Sequence, residues 1–525
     1  MHRFPTLLAL ATALLPLLTF AASTPLPAER IAYLDQQVDA AAARYHLPGM
    51  AVGVIDNGQI VYTRTLGERV VGSGEKIDGD TLFKIASLSK AMTTALLGRL
   101  VDEGKLDWDD KVTKYLPGFK MYEPKVTKQM RVADLLTHSS GLRYGSGDLM
   151  LWPDPNDFTR ADIIHALRYF PPAYRFRTEY HYDNLLYVVA GELAAKAGGA
   201  SYETLMHREV FAPLGLNRCQ VGRWDRDAIG NVAEPHGYID GHNQVIRADG
   251  PVIPASAADP AGGIRCSLDD MLRWAQNWLA PTPAQLHWLS AKQRKVLQSP
   301  HIKIPVPALA RVWSGTTRRD YGYGWRMNDV DGQWAVWHTG TLSGMYAELW
   351  LLPDARSGFV LLINGNGGQA RTVLGETLKK FFTQPSNTQG VAGYGDKLDT
   401  IIANAPTRRN DPNLPDSAAM PPVSAAAMAG QLGIYRDPWL GQVSICARDG
   451  FVHFASEKSP RLAGVVVHDG DRDLVRWDDR SVDPDAWLDF HQGNPIQLTM
   501  AKLDPYGDAS SDFEDLHFVR ERGCE

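Results

Sequence analysis

Residues 81–100 read TLFKIASLSKAMTTALLGRL. An apolar segment turns into a helix-forming run, and Ser87 and Lys90 sit three apart at the turn. The run LSKAMTTALLGRLVDEG has the apolar spacing of an amphipathic helix that ends near Gly104. Ser87 then falls at a helix N-terminus, where the first backbone N–H groups lack partners. Spacing of three puts Lys90 on the same face, one turn on. If protein covers that face, desolvation lowers the lysine pKa and lets the amine accept a proton. A serine hydroxyl needs such a base before it attacks a carbonyl, and the helix terminus favours the oxyanion that forms. The competing reading makes Ser87 an N-cap and Lys90 an ordinary helix charge. Ser73 and Lys76 repeat the spacing in GSGEKIDGD, a Gly- and charge-rich loop with no helix after it, and are set aside.

Working outward, IAYLDQQVDAAAARYHLPG has helical spacing and stops at Pro48-Gly49. AVGVIDNGQIVYTRTLG alternates around Asn57-Gly58, a type I′ hairpin signal. Residues 81 to about 280 read as mostly helical with loops. Strand patterns return in YGYGWRMNDV, QWAVWHTGT, MYAELWLLP and GFVLLINGN, followed by a helix in ARTVLGETLKKFFTQ. This order predicts an α/β (α+β) fold: an antiparallel sheet flanked by helices, with an all-helical lobe inserted and a cleft between them. Residues 404–425, rich in Pro, Asn, Asp and Ala, read as a linker, whose full extent is set at 386–427. Beyond it, short alternating segments broken by Asp-Gly, Gly-Asp and Gly-Asn predict a small antiparallel barrel or sandwich over 428–525.

The chain has 525 residues, 44% hydrophobic and 22% charged, the balance of a folded protein with a large core. Its net charge of −6 gives no basic footprint for nucleic acid or an anionic membrane. The first 22 residues have a basic start, an apolar run from Leu7 to Phe20 and small residues after it. That layout predicts a signal peptide, hence a secreted or periplasmic protein with no membrane span after cleavage. Export permits disulfides among Cys219, Cys266, Cys446 and Cys524. Four cysteines allow three pairings. Neighbours in the chain would pair Cys219 with Cys266 and Cys446 with Cys524, while buried free thiols are the competing reading. The sequence has no G-x-S-x-G elbow, H-E-x-x-H or C-x-x-C, nor a P-loop or G-x-G-x-x-G after a strand. No metal and no cofactor are therefore expected. His236 and His242 in HGYIDGH read as surface loop histidines.

Two further short motifs follow in order. EYHYDNLLYVVAGE holds Tyr182 and Asn184, the chain's single Y-x-N, at a helix start where Asn184 could also be a cap. VWHTGTLSG holds His338, Thr339 and Gly340 on a strand, where Gly marks close backbone approach. The order S-x-x-K, Y-x-N, H-T-G resembles the serine β-lactamase and penicillin-binding-protein superfamily, in its class C-like branch of D-Ala-D-Ala carboxypeptidase type. RVADLLTHSSGL, VFAPLGLN, AGGIRCSLDDMLRWA, YGYGW and FVLLINGN support the likeness, which covers roughly residues 28–380. It sets the hydrolase domain at 28–385 and likens the C-terminal barrel to the lipocalin-like domain of some relatives.

The resemblance implies an acyl-enzyme on Ser87, with Lys90 as base or proton relay and Tyr182 sharing that role through a phenol pKa lowered by Lys90. It implies that Asn184 holds the substrate amide and the lysine. His338 and Thr339 would hydrogen-bond substrate, and the N–H groups of Ser87 and Thr341, next to Gly340, would form the oxyanion hole. His338 stands where class C β-lactamases carry Lys, which leans toward peptidases. The expected partner is a small peptide or amide. A β-lactamase, a short-chain esterase and a non-catalytic penicillin-binding or sensor protein are the alternatives.

Overall fold

The computed structural model describes residues 25–405 and 414–524. The expected signal peptide lies outside the described residues. Helix α1 (Ala28–Arg44) leads into strands β1 (Gly49–Asp56) and β2 (Gln59–Gly67). Asn57 and Gly58 turn between them with φ of 48° and 80°, the left-handed pair that a type I′ hairpin demands. β1 and β2 form one edge of an eight-stranded antiparallel sheet. Six more strands complete it: β3 (Ile302–Lys303), β4 (Arg319–Tyr321), β5 (Arg326–Val330), β6 (Gln333–Leu342), β7 (Met345–Leu352) and β8 (Ser357–Ile363). The spatial order is β2-β1-β8-β7-β6-β5-β4-β3.

β1 up to Ile55 and β8 from Gly358 are apolar and buried because both sheet faces are covered. Met50, Val52 and Val54 face a core shared with α1 and α5 (Gly368–Thr383). Ala51 and Ile55 face a second core shared with the lobe, which carries α2 (Ser89–Asp102), α3 (Leu185–Gly198) and α4 (Leu268–Leu279). The period-two alternation of a strand thus splits one sequence between two helical layers. Besides helices, the lobe carries three two-stranded ribbons, among them Phe83–Lys84 paired with Arg265–Cys266 just before Ser87. α2 is buried almost all round rather than amphipathic: eleven of its fourteen residues, Lys90 included, are inside.

Within the stretch expected to be linker, Gly390–Ala403 forms a helix, α6, that packs Val391, Tyr394 and Leu398 into the first core. Strands from Gly433–Asp437 to His517–Arg522 close into an eight-stranded barrel. Its inward residues, such as Tyr435, Ile445, Phe454, Val475, Trp477 and Leu498, fill the interior. Disulfides join Cys219 to Cys266 and Cys446 to Cys524, the neighbour pairing. No helix among the described residues is long and apolar enough to cross a membrane.

Candidate active site

Ser87 lies in a tight turn, Ala86–Leu88, that runs directly into α2. Ala86 has φ 49°, an unfavourable conformation for a residue with a side chain, and marks strain immediately before the serine. Lys90, one turn on, is 0% exposed. Its Nζ lies 3.1 Å from Ser87 Oγ, 2.8 Å from Asn184 Oδ1 and 2.7 Å from the carbonyl oxygen of Ala261. Asn184 begins α3 but makes no cap hydrogen bond, so the cap reading fails. Its Nδ2 donates to Asp148 Oδ2 at 2.9 Å, which fixes the amide so that Oδ1 faces the lysine.

Burial lowers the Lys90 pKa to about 7, with Arg326 adding to the effect and Asp148 opposing it. A neutral amine has two N–H bonds and one lone pair. Asn184 Oδ1 and Ala261 O can only accept, so they take both N–H bonds, and the lone pair is left for Ser87. The sequence placed Lys90 beside Ser87. It did not show Asp148 or the Ala261 carbonyl, which complete the arrangement from distant segments.

Tyr182 shares the cleft wall with Ser87 and Asn184. Its ring lies under Lys90, with Nζ 4.9 Å from the centroid, and 4.2 Å from the ring of buried His138. Its hydroxyl is buried without a hydrogen bond among the described residues. The phenol was expected to be lowered. Burial instead pushes it well above its ordinary value, and the nearby Arg326 and Ser87 only partly oppose this.

The third motif splits. Gly340 packs where a Cβ would sit 2.1 Å from the carbonyl oxygen of Ile85, so only glycine lets β6 lie against the Ser87 turn. Thr339 and Thr341 face the cleft. His338 does not. Its Nδ1 is 2.8 Å from the carbonyl of Thr339, which can only accept, so Nδ1 carries the proton. Nε2, 3.2 Å from Tyr321 Oη, then accepts from that phenol. Both nitrogens are occupied within the fold, and burial, aided by Arg326 and Lys90, holds the imidazole well below its usual pKa. The expected contact of His338 with substrate is therefore replaced by a contact with Tyr321.

Beside the third motif, two arginines that the sequence reading missed bring positive charge to the cleft. Arg326, directly after YGYGW, stands over the Tyr182 ring at 5.5 Å. Arg371, on α5, donates to the Gly340 carbonyl at 2.5 Å and to Thr341 Oγ1 at 2.8 Å. Both line a cleft of about 510 Å³. The far wall comes from the barrel, through Arg461, Val482, Asp508, Ser510 and Ser511. His236 is not a surface residue. It is buried, with Nδ1 2.8 Å from the Asn364 carbonyl and Nε2 accepting from the Val71 N–H at 3.1 Å. His242 is exposed.

A lysine-held serine under a glycine-bearing strand, between a sheet and a helical lobe, is the arrangement of the β-lactamase and transpeptidase fold. Residues 34–380 match the family described as Beta-lactamase, and the chain belongs to it. The family is one of serine acyl-enzyme hydrolases. Penicillin-binding protein 4 of Amycolatopsis lactamdurans is 26% identical, over 65% of this chain and 86% of that protein. The Escherichia coli K12 beta-lactamase is 27% identical, over 61% and 85%. The unguisins hydrolase ungD of Aspergillus violaceofuscus is 26% identical over 65% of this chain, which spans 62% of that longer protein. The octameric penicillin-binding protein homologue from Pyrococcus abyssi shares the fold, with TM-score 0.53 and 18% identity over 93% of this chain and all of that one.

Proposed function

We propose that this protein is an exported hydrolase that cleaves small peptides or peptide-like amides, D-residues included, through an acyl-enzyme on Ser87. The observation that carries the proposal is the placement of the buried Lys90 amine, 3.1 Å from Ser87 Oγ and within reach of two acceptors, Asn184 Oδ1 and Ala261 O; this supports a neutral amine whose lone pair serves Ser87. Ser87 Oγ attacks the substrate carbonyl and its proton passes to Lys90. Negative charge on the carbonyl oxygen is held by the N–H groups of Ser87 and Thr341. The proton moves on to the leaving amine, with the Tyr182 hydroxyl as the adjacent relay, and the C–N bond breaks. Water then hydrolyses the ester in a second round of the same transfers. Arg371 and Arg326 supply the charge for a terminal carboxylate, which favours carboxypeptidase-like substrates. The leader-like N-terminus and two disulfides support a secreted or periplasmic setting.

The same two arginines fit the carboxylate of a β-lactam, so β-lactamase activity is the second reading, and short-chain ester hydrolysis the third. A panel of D-Ala-D-Ala peptides, D-amino acid amides, nitrocefin and short p-nitrophenyl esters separates them. Peptide or amide turnover that vanishes in Ser87→Ala is expected. Nitrocefin or ester turnover alone would reassign the substrate, and turnover surviving in Ser87→Ala would reject the mechanism.

A further inference from the structure

The C-terminal barrel reaches the catalytic cluster through residues 505–515. Asp512 is 0% exposed, and its carboxylate accepts from the N–H of Gly147 at 2.5 Å and of Leu149 at 3.2 Å. These two amides bracket Asp148, which holds Asn184, which in turn holds Lys90. Glycines admit the contact. A Cβ on Gly145 would lie 2.6 Å from the carbonyl oxygen of Ala509, and one on Gly147, at φ 77°, would lie 2.4 Å from Leu185. Beside them Arg143 pairs with Asp515 at 2.8 Å.

We propose that Asp512 is a positioning residue for the Lys90 base, so that the barrel completes the catalytic site rather than serving as a spacer. This rests on the reading of Ser87 and Lys90 given above. The physical reason lies in the 143–151 segment. Its own backbone bonds use the N–H groups of Ser146, Asp148, Met150 and Leu151, whereas those of Gly147 and Leu149, on either side of Asp148, go to Asp512. Without Asp512, two buried N–H groups lose their acceptor, and the turn must shift to find another. Asp148 shifts with it, Asn184 loses its anchor, and nothing then compels Asn184 Oδ1 to face the lysine. Displacements of about 1 Å in such supports lower rates by about a hundredfold.

The test is steady-state hydrolysis of whichever panel substrate the wild type turns over, by Asp512→Ala, Asp512→Asn and Lys458→Met, with Ser87→Ala alongside. Lys458→Met removes another contact between barrel and lobe, the 2.8 Å pair with Asp162, away from the 143–151 segment. Asp512→Ala is expected to lower kcat between tenfold and a hundredfold with KM within about twofold. Asp512→Asn, which keeps one acceptor oxygen, should recover part of the loss. Lys458→Met should match wild type. Should Asp512→Ala fail to fold, Asp512→Asn decides: a kcat equal to wild type overturns the proposal. Equal losses in Asp512→Ala and Lys458→Met would reduce Asp512 to a general docking contact and overturn it too. Full activity in both Asp512 variants with none in Ser87→Ala sinks the positioning role alone. Turnover surviving in Ser87→Ala sinks the reading of Ser87, and this role with it.

Discussion

On the lobe side of the cleft, Lys90 has no solvent contact, and oxygens from three separate segments surround its amine. On the strand side, the motif that begins with His338 turns its imidazole away, and two arginines from other elements face the cleft. The first wall is made of short, local spacing closed by long-range acceptors. The second borrows its charge from β5 and α5. The difference separates two tasks. Proton transfer needs a fixed lone pair in a dry place, while holding a substrate end needs charge with access to solvent.

The comparison breaks most sharply at Lys90. Lys90→Met removes the base and keeps an apolar chain of similar length, so kcat is expected to fall about a thousandfold with little change in KM. A loss under tenfold in single-turnover acylation would move the base elsewhere, Tyr182 being next. The pH dependence follows from the same amine. The catalytic form is neutral, so kcat/KM should rise tenfold per pH unit on the acid side and level off above about 7. At pH 5 it should stand about a hundredfold below the plateau. An acid limb that stays near 7 in the Lys90→Met variant would assign it to another group.

The opposite wall predicts a smaller and more selective effect. Arg371→Met should raise KM for a substrate with a terminal carboxylate about tenfold more than for a neutral p-nitrophenyl ester. Equal changes for the two would mean that Arg371 acts only by holding Gly340 and Thr341 in place.

Much of this organisation was legible. Asn57-Gly58 gave the hairpin, and the Ser87–Lys90 spacing gave the pair, because both are local. The rest was set by distant partners. Asp148 sits in YGSGDLM with no motif around it, and the Ala261 contribution is a backbone carbonyl, which has no side-chain signature. α6 lies inside the stretch that the composition of 404–425 extends as linker, and Gly390, Gly393 and Gly395 give it little helix propensity of its own. The structure uses the last of them. A Cβ on Gly395 would lie 2.5 Å from the Arg44 guanidinium, which pairs with Asp396 and Asp399 across α1 and α6. Tertiary contact overrode propensity there, as burial overrode the expected acidity of Tyr182.

The smallest effect tests the expectation that moved furthest. A histidine facing substrate would titrate near neutrality and tighten carboxylate binding as pH falls. The observed His338 is held neutral, its proton on Nδ1 and its Nε2 turned to Tyr321. His338→Gln keeps a polar group that can still meet Tyr321, so KM and kcat should change by less than about threefold. Whatever change KM for a carboxylate substrate shows between pH 5 and 8, as Lys90 gains its charge, should be the same in wild type and His338→Gln. A KM that drops as pH falls through 6.5, and a drop that disappears in His338→Gln, would turn the imidazole back toward the cleft. The two walls would then share one logic, with a titrating base on each.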